Sequence, residues 1–111
     1  MPRRHPALTT LQAAAAGTGN GIVLDTRQVN QMFVEISGTF VGTVTFEASV
    51  DGTNFFAIGL KTAADGAAVT SATAPGQWKM IADTVIASFR ARVSAFTSGT
   101  ITVKALAVLN G

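Results

Sequence analysis

The sequence lacks cysteine and tyrosine altogether, and its 111 residues include one histidine and one tryptophan. Without cysteine, the chain can form neither a disulfide framework nor a thiolate metal site. No apolar run approaches the roughly 20 residues that cross a bilayer. The N-terminus begins with basic residues but has no continuous apolar segment of the secretory-signal type. We therefore expect no secretory signal, no membrane span and no membrane partner.

Charged side chains are also scarce, at 13% of the residues, whereas hydrophobic residues make up 48%. Few soluble monomers solvate themselves with so few charges, so we expect part of the apolar surface to meet protein partners. A homo-oligomer or a symmetric array would supply such contacts. The net charge is +2 and the eight cations are spread along the chain, which predicts no nucleic-acid partner.

The residues that usually carry catalysis are isolated from one another. His5, the only histidine, stands between Arg4 and Pro6 and has no evident second partner. The six carboxylates are scattered, and most stand at predicted turns or strand ends, where aspartate bonds to nearby backbone amides. The stretch GTGNG precedes a strand instead of opening a helix, so it is not a phosphate loop. We expect no enzyme activity, no cofactor and no bound metal.

From residue 21 onward, the pattern is typical of half-buried antiparallel strands. In TVTFEASV and ASFRARVSAF, apolar and polar residues alternate with the two-residue period of a strand. Turn residues recur about every 8–12 positions, which predicts about eight short strands in an all-β antiparallel sandwich, Ig-like or jelly-roll in topology. The inward positions predicted on three strands are Val44, Phe46, Ala48, Val50, Phe89, Ala91, Val93, Ala95, Ile101, Val103, Ala105 and Ala107.

The first 20 residues differ in composition from the rest, with two prolines, several glycines and the run AAAA. This composition predicts an N-terminal arm over 1–20, with at most one helical turn around Leu8–Ala16, and a sandwich domain over 21–111. We expect the arm to leave its own domain. Its Leu8 and Leu11 would then lie in apolar grooves of a neighbouring subunit, and Arg3 and Arg4 near acidic groups.

The stretch SVDGTNFF, residues 49–56, allows two interpretations. Asp51-Gly52 is the pattern of a tight hairpin turn whose central residues need positive φ. Discoidin-type carbohydrate- and lipid-binding domains often carry S-x-D-G-x-x-W, with Phe55 here in the aromatic place. We favour a hairpin corner whose aromatic residue seals the edge of the sandwich.

Five charged residues are predicted on the outer side of their strands: Glu35, Glu47, Arg90, Arg92 and Lys104. We expect some of them to form an acid–base ladder, with Glu47 paired to Lys104 or to an arginine across the sheet. Arg90 or Arg92 is the expected contact with a protein lattice, because a guanidinium can hold a carboxylate with two hydrogen bonds.

Aromatic platforms for sugar binding are few. Trp78 shares a face with Met80 in QWKMIA and is predicted to lie in the core, whereas Phe33 lies opposite Met32, Val34 and Ile36 and is predicted to be exposed. An exposed phenylalanine suits a protein contact. The last strand, TITVKALAVL, ends apolar on both sides, which predicts a covered outer face.

Two segments carry a resemblance. The hairpin GTVTFEASVDGTNF (Gly42 to Phe55) and the pair RARVSAFTSGTITV (Arg90 to Val103) resemble small virion proteins of tailed bacteriophages, over about residues 33–109. The family pattern usually has Trp where Phe55 stands. The resemblance implies a structural protein located in the virion, with other virion proteins, such as a major capsid or tail protein, as partners. It favours a capsid decoration subunit; tail, fibre or head–tail junction components and a carbohydrate- or host-surface-binding module are the alternatives.

Overall fold

In a computed structural model, residues 4–81 and 85–110 are described, and this part of the chain is entirely β-strand and loop. The eleven strands are β1 Arg4–Ala15, β2 Leu24–Asp25, β3 Val29–Ser37, β4 Phe40–Ser49, β5 Phe56–Ala57, β6 Leu60–Thr62, β7 Ala68–Val69, β8 Ser71–Ala72, β9 Gly76–Met80, β10 Ser88–Gly99 and β11 Ile101–Asn110. The strands form two antiparallel sheets, which confirms the predicted all-β sandwich.

Sheet A contains six strands in the order β1-β11-β3-β9-β6-β7, and sheet B contains five, β2-β10-β4-β5 with β8 also paired to β4. The count exceeds the expected eight because β2 and β5 to β8 are only two or three residues long. Such segments are too short for an alternation of polar and apolar residues to be recognised.

The core lies between the two sheets and is built from alternate residues of the long strands. Phe46 of β4 lies at its centre, with ring centroids 5.5 Å from Trp78 and 6.4 Å from Phe89. Ten of the twelve predicted inward positions are buried, and Trp78 is buried with them. The core role predicted for Trp78 is thereby confirmed.

The two exceptions among the inward positions have local causes. Val50 is 80% exposed because β4 ends at Ser49 and the chain turns away from the sheet. Ala95 is exposed because the pairing of β10 with β4 shifts register between Val93 and Ala95. A single extra residue in a strand moves the following side chains to the other face.

The prediction of an extended N-terminal arm is wrong for residues 4–15, which form β1. This strand pairs with β11 from Arg4↔Asn110 to Ala15↔Ile101, at the edge of sheet A, where Pro6 is tolerated. Leu11 is 1% exposed and belongs to the core. Register shifts on either side of Gln12 break the two-residue period, which explains why the strand escaped the sequence pattern.

The segment that follows β1, residues 16–22, is also held to its own domain by hydrogen bonds with β1. The buried Gln12 side chain donates to the carbonyl oxygens of Gly19, at 3.1 Å, and Ala91, at 2.9 Å. The amide of Ile22 donates to the Leu11 carbonyl at 2.9 Å. Gly21, which precedes Ile22, has a φ of +69°. Residues 11–22 therefore link sheet A to β10 of sheet B.

Candidate partner-binding surfaces

The predicted contact residues lie on two opposite faces of the sandwich and do not form one site. Arg90 and Arg92 lie on the outer face of sheet B, whereas Leu8 and Phe33 lie on the outer face of sheet A. Leu11 is buried in its own core, so it is wrong as a contact with a neighbour. Arg4 opens β1 opposite Asn110, and Arg3 lies outside the described residues.

On sheet B, two arginines converge on one carboxylate. Glu47 is opposite Arg90 in the pairing of β4 with β10, and Arg92 follows two residues along the same face. The Arg90 Nε donates to Glu47 Oε1 at 2.8 Å, and the Arg92 Nε lies 3.3 Å from Glu47 Oε2. The Arg90 guanidinium also lies 4.0 Å from the centroid of the Phe55 ring, within range of a cation–π interaction. We call Glu47, Arg90, Arg92 and Phe55 the Glu47 cluster.

The two arginines differ in how much of the side chain remains exposed, 18% for Arg90 and 41% for Arg92. Arg90 is held by both a carboxylate and a ring, so its geometry serves the fold of sheet B. The Arg92 Nε that faces Glu47 is buried and makes no hydrogen bond. Of the two, Arg92 is therefore better placed to contact a partner.

The charges do not form one ladder across the molecule. Lys104 of β11 is opposite Glu35 of β3 in sheet A, whereas Glu47 lies in sheet B. The alternative that Glu47 pairs with Lys104 is wrong, and the alternative that it pairs with an arginine across the sheet is correct. Glu35 also accepts a hydrogen bond from Gln77 Nε2 at 3.2 Å.

The corner at residues 49–56 is held together by the Asp51 carboxylate. It accepts from the amides of Thr53, at 2.8 Å, and Asn54, at 2.9 Å, from the Asn54 side chain and from Ser49 Oγ. These hydrogen bonds, those from the Asn54 and Thr53 amides first, hold the pKa of Asp51 well below its usual range. The carboxylate is occupied by its own loop, which supports the hairpin interpretation over ligand binding.

The turn itself is longer than predicted. Gly52 has a φ of +79°, but Asp51 does not have a positive φ, so the expected two-residue turn with positive φ at both positions is wrong. The chain crosses from β4 to β5 through residues 50–55. The Phe55 ring packs on Arg90 on the outer face of sheet B and is not among the residues of the core, while Phe56 is largely exposed.

The outer face of sheet A carries three exposed apolar side chains in register. Leu8 of β1 is opposite Leu106 of β11, which in turn is opposite Phe33 of β3. Their exposed fractions are 64%, 41% and 37%. Phe33 is therefore exposed as predicted, and the expected cover over the outer face of β11 is absent from the described part of the chain. The alignment of Leu8 with Leu106 could not be predicted from the sequence, because it depends on the pairing of β1 with β11.

Within residues 4–81 and 85–110, no group of three or more His, Cys, Asp or Glu side chains could hold a metal ion. In the same residues, no helix is long and apolar enough to cross a membrane.

The chain is similar to a known protein family. The model of the XepA family matches residues 6–107, so the chain belongs to the XepA family. A comparison with curated protein sequences finds no significant match.

Two crystal structures share the fold. The SPBc2 prophage-derived protein YomS is 19% identical, with a TM-score of 0.83 over 97% of this chain and 95% of YomS. The PBSX exported protein XepA is 20% identical, with a TM-score of 0.87 over 95% of this chain but 38% of XepA. The chain therefore corresponds to well under half of that XepA chain.

Proposed function

We propose that this member of the XepA family is a non-enzymatic structural protein of a bacteriophage particle, and specifically a capsid decoration subunit that binds a symmetric protein lattice. The observation that carries the proposal is the row of exposed Leu8, Leu106 and Phe33 on sheet A. A continuous apolar surface on a chain with few charges is characteristic of proteins that work in contact with other proteins.

Two further findings support this role. The fold is that of YomS, which is described as prophage-derived, so a phage origin suits this chain. The Asp51 carboxylate is occupied by its own loop and Glu47 by Arg90, which leaves neither free to act as an acid or base with a second group.

A tail, fibre or head–tail junction subunit is the second candidate of the same class. The XepA chain of known structure is described as exported, which also suits a location outside the cell without a particle. A carbohydrate-binding role has less support, because Trp78 lies in the core and Phe55 is packed on Arg90. Few exposed aromatic rings remain to stack on a sugar.

Purified particles provide the test. Phage particles should be isolated by density-gradient centrifugation, and their proteins quantified by mass spectrometry against the major capsid protein. A decoration subunit should band with the particles, at a copy number comparable to that of the capsid protein, and should be visible by cryo-EM on the shell. A low copy number with density on the tail would favour the second candidate. Presence in the culture medium and absence from the particles would reject the virion role.

A further inference from the structure

The apolar row on sheet A continues into a pair of lysines. Phe33 of β3 is opposite Lys79 of β9, and Lys79 is opposite Lys61 of β6. Together with Leu106 and Leu8, these residues place one exposed side chain on each of five neighbouring strands, and we call them the Leu–Lys row. At a strand spacing of about 4.8 Å, the row is roughly 19 Å long. One half is apolar and the other half is cationic.

A shallow groove runs beside the row at the junction of its two halves. Its volume is about 570 Å³, and its lining includes Phe33, Leu106, Val108, Met80, Lys61 and Lys79. This volume accommodates one or two apolar side chains of a ligand while the lysines remain within reach of its polar groups. The groove therefore combines an apolar anchor point with two positive charges.

The two lysines have no acidic partner among the described residues. The ion pairs found there are Arg27–Asp25, Arg90–Glu47 and Arg92–Glu47, and none of them involves Lys61 or Lys79. Each described carboxylate already accepts a hydrogen bond within its own chain: Asp25 from Arg27, Glu35 from Gln77, Glu47 from Arg90, Asp51 from its own loop, and Asp65 from Thr62 and the Ala67 amide. A second copy of this chain would thus bring to the lysines only described carboxylates that already accept a hydrogen bond within their own chain.

The number of lysines also bears on which class of partner fits. Recognition of an anionic lipid surface usually needs a cluster of about four to eight cations. Binding of nucleic acid depends on the release of counterions by many phosphate contacts. Two lysines beside an apolar surface meet neither requirement. They match a protein segment in which one or two carboxylates flank a large apolar side chain.

We propose that the Leu–Lys row docks an acidic segment of a different protein, with an apolar side chain of that segment in the groove beside Phe33 and Leu106 and its carboxylates on Lys61 and Lys79. The proposal rests on the proposed function, since it specifies the chemistry of the partner that such a subunit would bind. Lys104, a lysine in the neighbouring row of the same face, lies opposite Glu35 and serves as the internal comparison.

A random library of twelve-residue peptides displayed on filamentous phage supplies the probe. Peptides selected on the wild-type protein should be enriched in Asp and Glu around Leu, Phe or Trp. The best peptide is then synthesised with a fluorophore, and its affinity is measured by fluorescence anisotropy at low and high salt. The affinity should fall as the salt concentration rises, because exposed charges are screened.

Variants locate the binding surface. The double variant Lys61→Glu/Lys79→Glu should weaken peptide binding by about tenfold or more, because it brings like charges together. Phe33→Ser should weaken it by about fivefold, as expected for loss of an anchor. The matched controls are Lys104→Glu, for charge on the same face, and Val41→Ser, for an exposed apolar side chain of sheet B; both should stay within about twofold of wild type. The fluorescence of Trp78 checks that each variant is folded.

Other results of the peptide, sedimentation and vesicle experiments would overturn the proposal. Selected peptides without an excess of carboxylates, no selected peptide at all, or an equal loss of affinity in Lys104→Glu would do so. Loss of an oligomer in the double variant, seen by analytical ultracentrifugation, would make a second copy the occupant. Lysine-dependent binding to phosphatidylglycerol vesicles without peptide binding would make it a lipid surface. Absence of the protein from particles, with the peptide results intact, would reject the virion role alone.

Discussion

The Glu47 cluster leads to a prediction about stability, because two guanidinium groups share a carboxylate that is largely shielded from solvent. Glu47 is itself a buried residue, and the Arg90 Nε lies 2.8 Å from its Oε1. Replacing Glu47 by alanine leaves Arg90 without its carboxylate in a position where water reaches only part of the guanidinium. The expected result is a large loss of free energy of unfolding, although the residue points away from the core.

The magnitude follows from the exposure of each partner. Removing one member of a buried pair costs about 3–5 kcal/mol, and hydrogen bonds to charged groups contribute about 1.5–3 kcal/mol. Because Arg92 remains considerably exposed, we expect about 2–4 kcal/mol for Glu47→Ala. Arg90→Ala should cost about 2–3 kcal/mol, since it also removes the contact with Phe55. Arg92→Ala should cost about 1 kcal/mol or less, in the range of an exposed pair.

Urea unfolding followed by the fluorescence of Trp78 measures these differences. A lower midpoint with an unchanged slope reports a change in stability. A double-mutant cycle between Glu47→Ala and Arg90→Ala should give a coupling of about 1–3 kcal/mol. If Glu47→Ala costs no more than Arg92→Ala, the carboxylate does not support the fold. Arg90 would then return as a candidate for partner contact.

Three other predictions concern the fold. Leu11→Ala should lower the free energy of unfolding by about 2–5 kcal/mol, and exposed Leu8→Ala by less than about 0.5 kcal/mol; equal effects in urea unfolding would contradict the core position of β1. Gly21→Ala should lower the free energy of unfolding by about 1–3 kcal/mol more than Gly66→Ala. Both glycines have a positive φ, but a Cβ at Gly21 alone would press against the Leu11 carbonyl. The same urea midpoint for both variants would refute this. The pKa of Asp51 is lower in the folded state than its ordinary 3.8, so the stability that this carboxylate adds to the fold is complete above that pH and is lost as the pH falls. Asp51→Asn should therefore reduce the fall of the urea midpoint on the acid side of a pH profile. An unchanged profile would contradict the loop geometry.

Sequence patterns identified the fold wherever strands were long and regular. In β3, β4 and β11, and in β10 as far as Val93, the alternation predicted which residues are buried, because one face of each strand must meet the core. The pattern failed in β1, where two register shifts and an alanine run remove the period. It failed again at Val50, because alternation alone does not show where a strand ends.

The candidate surfaces were harder to predict than the fold. Outward positions such as Phe33 and Arg90 could be assigned strand by strand, but their neighbours depend on strand order. Glu47 meets Arg90 because β4 pairs with β10, and Phe33 meets Leu106 because β3 pairs with β11. Neither pairing is local in the sequence. Cross-strand partners are the unit of recognition on a sheet, so a surface becomes visible only once the order is known.

Strand β1 couples stability to the proposed partner surface. Its Leu11 is buried in the core, and its Leu8 begins the Leu–Lys row beside Leu106. The row is therefore complete only while β1 is paired to β11. Substitutions that loosen β1 from the inside, such as Leu11→Ala, should weaken both stability and partner binding. Phe33→Ser should weaken binding alone, because β3 lies between two paired strands and its Phe33 side chain contributes to the outer face. A binding defect in both variants, with a stability defect only in the first, would separate the docking surface from the fold that supports it.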